Sequence, residues 1–267
     1  MTGSHFAPLI TDDYVKMHED YFVPAIYAQW AHHVTELAAI ESGHEVLDVA
    51  CGTGILARTA LLEVGMRGKV TGLDHNEKML AKARQLGPAI DWQIGDAAAL
   101  PFEADSFDRV MCQFALMYMK NRVAAIKELL RVTRPNGLIV VATWAQLVKS
   151  PAYRAFIELT RQLIGSKVAR KLSEPWALGS PGRMDSLLLS SGVNEFECHE
   201  RPGVARFPSV EAFVETHLRT TGEFSHISEQ AFQDLLHATG QVFQRYISND
   251  GRIIVPLDAN IYLISPA

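Results

Sequence analysis

The chain has 267 residues, 48% hydrophobic and 21% charged, which suits one globular α/β domain with a sizeable buried core. Its 25 basic and 30 acidic side chains leave a net charge of −5 without a long block of like charges, so nucleic acid is not expected as a partner. No apolar run approaches the ~20 residues that span a bilayer, and the opening M-T-G-S-H-F-A-P lacks the layout of a secretory signal, so a cytoplasmic protein with no membrane partner is expected.

In chain order, residues 12–40 read as a helical lead-in, with Pro24 suited to a helix start and Ile26, Trp30, Val34 and Leu37 recurring on one face. Short β-rich runs follow at 45–49, 69–73, 91–95, 107–113 and 138–143, each short enough to be a strand buried on both faces. Helices are predicted between them at 55–64, 77–85 and 122–132, with Asn76 as a start and Gly65 and Gly87 as stops. This alternation predicts a parallel, doubly wound sheet.

Beyond Trp144 the pattern loosens into a helix over 151–171, the turn G-S-P-G at 179–182, a helix over 183–191 and a strand over 195–201. Helices over 209–220 and 228–246 and a last strand over 259–264 complete the chain. Lys167, Arg170 and Lys171 share a helix face and read as solvated surface. No separate linker sets the extra helices apart. The expected layout is one domain over 1–267, with a core of about 40–144 plus 179–205 and 252–267, and cap elements at about 10–39, 145–178 and 206–251.

Chemistry concentrates in V-L-D-V-A-C-G-T-G, Val46 to Gly54, at the first strand-to-helix turn, where an open parallel sheet brings backbone closest to a ligand. Gly52 and Gly54 would clear space there and tolerate positive φ, and Asp48 precedes them as a buried carboxylate. Asp74 ends the second strand 22 positions after Gly52, where an acidic side chain can take both hydroxyls of a ribose. A dinucleotide fingerprint would need glycine at 50, 52 and 55, but Ala50 and Ile55 stand at two of these positions, which disfavours pyrophosphate.

With these residues in place, the sequence resembles the class I S-adenosylmethionine-dependent methyltransferases, particularly the ubiquinone and menaquinone C-methyltransferase branch. The likeness runs over roughly 21–205 and is strongest over 45–143. It adds three further segments in order: I-G-D-A-A-A-L-P-F from Ile94, S-F-D-R-V-M-C-Q-F-A-L-M-Y from Ser106, and L-L-R-V-T-R-P-N-G-L-I-V-V from Leu129.

The resemblance implies a Rossmann-like, seven-stranded sheet with its last strand antiparallel, carrying the helical lead-in and helical cap insertions. It also implies S-adenosylmethionine as cofactor, with S-adenosylhomocysteine as product. Asp48, Ala50, Cys51, Gly52 and Gly54 would hold its methionine part, and Asp74 its ribose, with His75 among the contacts. Met79 would lie near adenine or ribose, Asp96 and the Ala97 amide would read the adenine, and Gln113 would approach the amino-acid end.

The acceptor is expected to be a small molecule methylated at oxygen, nitrogen or carbon by in-line displacement that rests on positioning. No catalytic base is singled out: His199, His217, His226 and His237 fall in the capping half, and His32 and His33 in the lead-in, each open to a structural reading. No metal is expected, because there is no H-E-x-x-H spacing, and Cys51, Cys112 and Cys198 form no C-x-x-C pair. Tyr21, Trp30, Tyr118 and Trp144 are the pocket candidates among the aromatic residues, which also include Phe22, Tyr27 and Trp176. Monomer and homodimer stay open. The alternatives are a cofactor-binding regulator or scaffold without turnover and an NAD-dependent oxidoreductase.

Overall fold

Strands form where β-branched and aliphatic residues come in short runs that can be covered on both faces, and the protein, seen in a computed structural model, uses such runs for the centre of a seven-stranded main sheet whose two edge strands are more polar. The structure describes residues 10–180 and 182–266, so the opening M-T-G-S-H-F-A-P and Pro181 of the G-S-P-G turn lie outside the described residues.

The chain enters through helix α1 (Asp12–Met17), a π-helical segment (His18–Tyr27) and α2 (Ala28–Leu37). Pro24 sits inside the π segment instead of at a helix start. Proline removes a donor from a regular helix, and here the turns are wider, as where the Ala28 N–H reaches back five residues to the Val23 carbonyl.

The alternating part follows: β1 (Glu45–Val49), α3 (Ile55–Val64), β2 (Lys69–Asp74), α4 (Glu77–Leu86), β3 (Asp91–Ile94), β4 (Phe107–Gln113), α5 (Arg122–Val132) and β5 (Thr133–Trp144). Asn76 caps α4 by accepting from the Lys78 and Met79 amides, and Gly87 closes it, as their residue types lead one to expect. β5 starts earlier than the apolar run. Its register jumps from Thr133 opposite Phe107 to Leu138 opposite Arg109, so R-P-N-G is an irregularity inside the strand.

The rest of the chain runs through α6 (Pro151–Leu163), α7 (Ser166–Ser173) and α8 (Arg183–Ser190), then β6 (Phe196–Arg201), β7 (Val204–Phe207), α9 (Val210–Thr220), α10 (Glu229–Phe243), β8 (Ile253–Pro256) and β9 (Ala259–Ile264). The single helix expected over 151–171 is two, broken at Gly165, whose φ of +134° no regular helix accepts. The basic face of α7 is less free than expected, since Lys167 and Lys171 both pair with Glu223.

Strand order is β3-β2-β1-β4-β5-β9-β6, with β9 antiparallel to both neighbours, as expected. β7 and β8 form a separate two-stranded antiparallel ribbon, which places 253–256 outside the main sheet. The order reverses between β1 and β4, and their carboxyl ends, Val49 and Gln113, frame the crevice where such sheets bind ligands. Among the described residues no helix is long and apolar enough to cross a membrane.

One side chain organises the glycines of this region. Trp92 of β3 lies so close to Gly54 and Gly72 that a Cβ there would sit 2.2 and 2.3 Å from its ring, and its Nε1 donates to the Gly87 carbonyl at 2.8 Å.

Candidate functional site

The turn after β1 is built from backbone. Ala50, Gly52 and Gly54 alternate at φ of +58°, +56° and +86° with ordinary residues between them, a pattern that gathers amides into a concavity for anionic or polar groups. Holding Ala50 there costs about 1–2 kcal/mol. The cost is met by hydrogen bonds: Cys51 N–H to the Leu73 carbonyl at 3.0 Å, and Gly54 N–H to the Cys51 carbonyl at 2.9 Å.

Asp74 ties this turn to β2. Its Oδ2 accepts from Gly52 N–H and its Oδ1 from Asn76 N–H, both at 2.9 Å, which leaves further lone pairs on each oxygen. Asp48 lies beneath, its Oδ2 accepting from Ala57 N–H at 3.0 Å near the start of α3. Burial pushes its carboxyl up to about 7, the one backbone hydrogen bond pulls the other way, and nearby Asp74 adds to the rise. Cys51 is buried beside both carboxylates, and burial first, then their charge, raises its thiol.

The two glycines differ. A Cβ at Gly52 would meet only His18 Cε1, at 3.8 Å, whereas one at Gly54 would strike Trp92. Gly54 is therefore held as glycine by the Trp92 ring beneath it and by its left-handed φ, and the open space lies beside Gly52.

Beyond the turn, His75 is exposed, with Nδ1 3.5 Å from Asp74 Oδ1. Met79 is buried on α4. Asp96 is exposed and accepts from the Ala98 amide at 2.9 Å, with Ala97 partly buried beside it, so these residues form an open rim. Gln113 reaches the site from β4: its Nε2 donates to the Tyr27 carbonyl at 3.3 Å, and its Oε1 is buried without a partner.

The aromatic candidates separate. Trp30 has no exposed surface, and Trp144 stacks on Phe114 with centroids 3.7 Å apart, the Trp30 ring standing edge-on to both; these three are core. Tyr21 points outward. Tyr118 is different: 51% of its surface is accessible, yet burial raises its hydroxyl, with Tyr27 and Tyr14 adding to the rise.

The lead-in contributes residues that motif reading misses. His18 covers Gly52, approaches Thr53 Oγ1 at 3.4 Å and stacks on Tyr27 at 5.3 Å. Burial pushes its imidazole down to about 4, so it is neutral at pH 7. Glu19 pairs with Arg58 at 3.0 Å, and Arg58 also donates to the Thr53 carbonyl. Asp12 pairs with Lys78 at 2.9 Å. The available signal is the i, i+4, i+8 spacing of Tyr14, His18 and Phe22, which puts the three on one helical face.

Comparison with known proteins bears on the family and the fold. A methyltransferase domain family model matches residues 46–137, from β1 through the β5 irregularity. The ubiquinone/menaquinone biosynthesis C-methyltransferase of Laribacter hongkongensis is 32% identical over 185 residues, covering 64% of this chain and 75% of that one. The demethylmenaquinone methyltransferase of Staphylococcus epidermidis is 33% identical over 152 residues, 54% of this chain, and the chain spans only 63% of that relative's length. At the level of fold, a Haemonchus contortus phosphoethanolamine N-methyltransferase 2 solved with S-adenosyl-L-methionine superposes with a TM-score of 0.61 at 17% identity, over 96% of this chain and 58% of the other. The chain belongs to the S-adenosylmethionine-dependent methyltransferases, on the ubiquinone and menaquinone C-methyltransferase-like branch.

Proposed function

We propose that the protein transfers a methyl group from S-adenosylmethionine to a small-molecule acceptor. The observation that carries this reading is the Gly52–Asp74 pair: a left-handed glycine open on its outer side, bound to a carboxylate with lone pairs to spare.

The residues present fit the cofactor. The turn at Ala50, Cys51, Gly52 and Gly54 would lie against the cofactor's methionine part, with Gly52 leaving room beside the backbone, and the unpartnered Gln113 Oε1 is an acceptor suited to an ammonium. Asp74 and His75 would take a ribose, and Asp96 and Ala97 of the open rim, with the buried Met79, would take an adenine. Asp48 supports the turn from below through α3.

When bound, the cofactor supplies a methyl already activated on a sulfonium. The protein's part is to orient the acceptor and exclude water, and such positioning is worth about 7–11 kcal/mol in favourable systems. The lead-in would serve that role, since His18, stacked on Tyr27, covers the turn and the Glu19–Arg58 pair fastens the segment to α3. We also read lead-in, sheet and cap as one domain, supported by the unbroken apolar core that runs from Met17 to Ile264.

Calorimetric titration with S-adenosylhomocysteine tests the cofactor assignment. Asp74→Asn keeps the size of the side chain but sets an amide group against one of two donors, and affinity should fall about tenfold or more. Unchanged affinity would sink the assignment. Radiolabelled methyl transfer across a panel of neutral metabolites then tests turnover, and binding without transfer to any of them would favour a regulator over an enzyme.

A further inference from the structure

A cleft of about 440 Å³ opens between α5 and α8, lined by Arg122, Leu178, Gly182, Arg183, Ser186 and Leu187. None of these residues belongs to the lead-in, the glycine turn, β2 or the rim at Asp96, so the cleft is separate from the site described above. Its two charged side chains are both arginines, in a chain whose net charge is −5.

Other cations of the fold have acidic partners. On α5 itself Arg131 forks onto both carboxylate oxygens of Glu128, while Arg134 pairs with Asp108 and Arg58 with Glu19. Arg122 donates through Nε and Nη2 to the Leu116 and Met117 carbonyls, and its Nη1 has no partner among the described residues. Neither Arg122 nor Arg183 meets a carboxylate there. The two charges also oppose each other, since burial first, and then the charge of Arg183, lowers the Arg122 guanidinium from its ordinary value.

The rest of the cleft adds to this positive field. No side chain caps the first turn of α8, which begins after the left-handed Gly182 at φ +69°, so the positive end of the helix dipole borders the cleft. Asp185, the acidic residue of that turn, raises the Cys198 thiol and the Tyr262 hydroxyl and so stands toward β6 and β9. Ser186 brings a hydroxyl, and Leu178 and Leu187 an apolar wall. A guanidinium presents its N–H groups as a planar fork that matches the oxygens of a phosphate, and a dianion between two forks removes their repulsion.

We propose that Arg122 and Arg183 bind an organic phosphate monoester at a site separate from that of the methyl donor. The phosphate lies between the two guanidiniums, and the carbon group that carries it lies against Leu178 and Leu187.

Phenyl phosphate, benzenesulfonate and phenol serve as probes, titrated calorimetrically into the full-length protein with and without saturating S-adenosylhomocysteine. At about pH 7.5 the ester carries close to two charges, the sulfonate one and phenol none. The wild type should bind phenyl phosphate several-fold more tightly than benzenesulfonate and phenol not measurably, and added salt should weaken the binding. Arg183 is exposed, so Arg183→Ala should fold as the wild type does, lose about tenfold or more in phenyl phosphate affinity and keep its S-adenosylhomocysteine affinity. Arg183→Lys, which keeps the charge without the fork, should fall between the two.

Sedimentation with phosphatidylcholine vesicles, with and without phosphatidate, separates two sources of such a group. Phenyl phosphate binding together with phosphatidate-dependent sedimentation that Arg183→Ala abolishes assigns the phosphate to a lipid headgroup, and phenyl phosphate binding without sedimentation assigns it to a soluble ester. A wild type that does not bind phenyl phosphate would overturn the proposal, as would binding that survives Arg183→Ala undiminished. Displacement of S-adenosylhomocysteine by phenyl phosphate would overturn it too, by placing the anion in the methyl-donor site.

Discussion

The glycine turn and the aromatic cap are built by opposite means. At the turn, geometry comes from the backbone, since Gly52, Asn76 and Ala57 each give an amide to a carboxylate fixed on a neighbouring strand. In the cap it comes from rings: Trp30, Phe114 and Trp144 lock lead-in to sheet, and Phe207, Phe213 and Phe243 lock helices to ribbon. A polar turn specifies a ligand group by group. A ring cluster specifies shape and dryness, and it can be refitted to another acceptor while the turn stays the same.

Four variants put that contrast under strain, and the largest effect belongs to the rings. Trp30→Ala empties a fully buried site walled by Phe114, Trp144 and Gly203, and should lower unfolding free energy by about 3–5 kcal/mol in urea titrations. A loss below 1 kcal/mol would mean that the lead-in is not fastened by its rings.

The next effect is electrostatic. Asp48 is held at about 7 in the fold, well above an exposed carboxyl, so its neutral form is favoured, and the stability it confers at low pH is lost as pH rises from about 4 through 7. His18 and His217, held near 4, act in the opposite sense, since their contribution is present above about 6.5 and lost as pH falls toward 4. Asp48→Asn removes the first contribution alone. Its stability relative to wild type should therefore grow between pH 4 and pH 7, by up to about 1 kcal/mol per pH unit, in urea titrations of cofactor-free protein. A difference that does not change with pH would show that Asp48 is better solvated than its burial implies.

Gly52→Val probes the turn as a ligand surface. The branched side chain enters the space beside His18 at a left-handed φ and should cost at least about a hundredfold in S-adenosylhomocysteine affinity, roughly 2.7 kcal/mol. Normal binding by this variant would discard the turn model. The smallest effect is at the rim, where Lys78→Ala breaks an exposed pair with Asp12 and should change stability by less than about 1 kcal/mol, an effect that salt erases.

How much of this was legible in the sequence follows the same division. β1, the Asn76 cap and the Gly52–Asp74 spacing could be read because each depends on residues close together in the chain or on a strand-end rule. The β7–β8 ribbon could not, since it pairs two four-residue runs separated by two helices, and neither run is long enough to announce a strand. The break at Gly165 was hidden because the apolar period resumes after it. Trp30 and Trp144 read as pocket residues because burial against a partner ring and burial against a ligand leave the same mark on a sequence. His18 lay outside every motif and met the turn only through tertiary packing.

The indole of Trp92 has a consequence for how this chain can diverge. Gly54, Gly72 and Trp92 occupy one volume, so they constitute a single inherited character spread over three positions. A descendant can acquire a side chain at 54 or 72 only alongside a smaller residue at 92; at 72 that change lifts the clash with the ring, whereas at 54 the left-handed φ of +86° still favours glycine. The second glycine of a motif read as a ligand signature thus records the size of a neighbour two strands away.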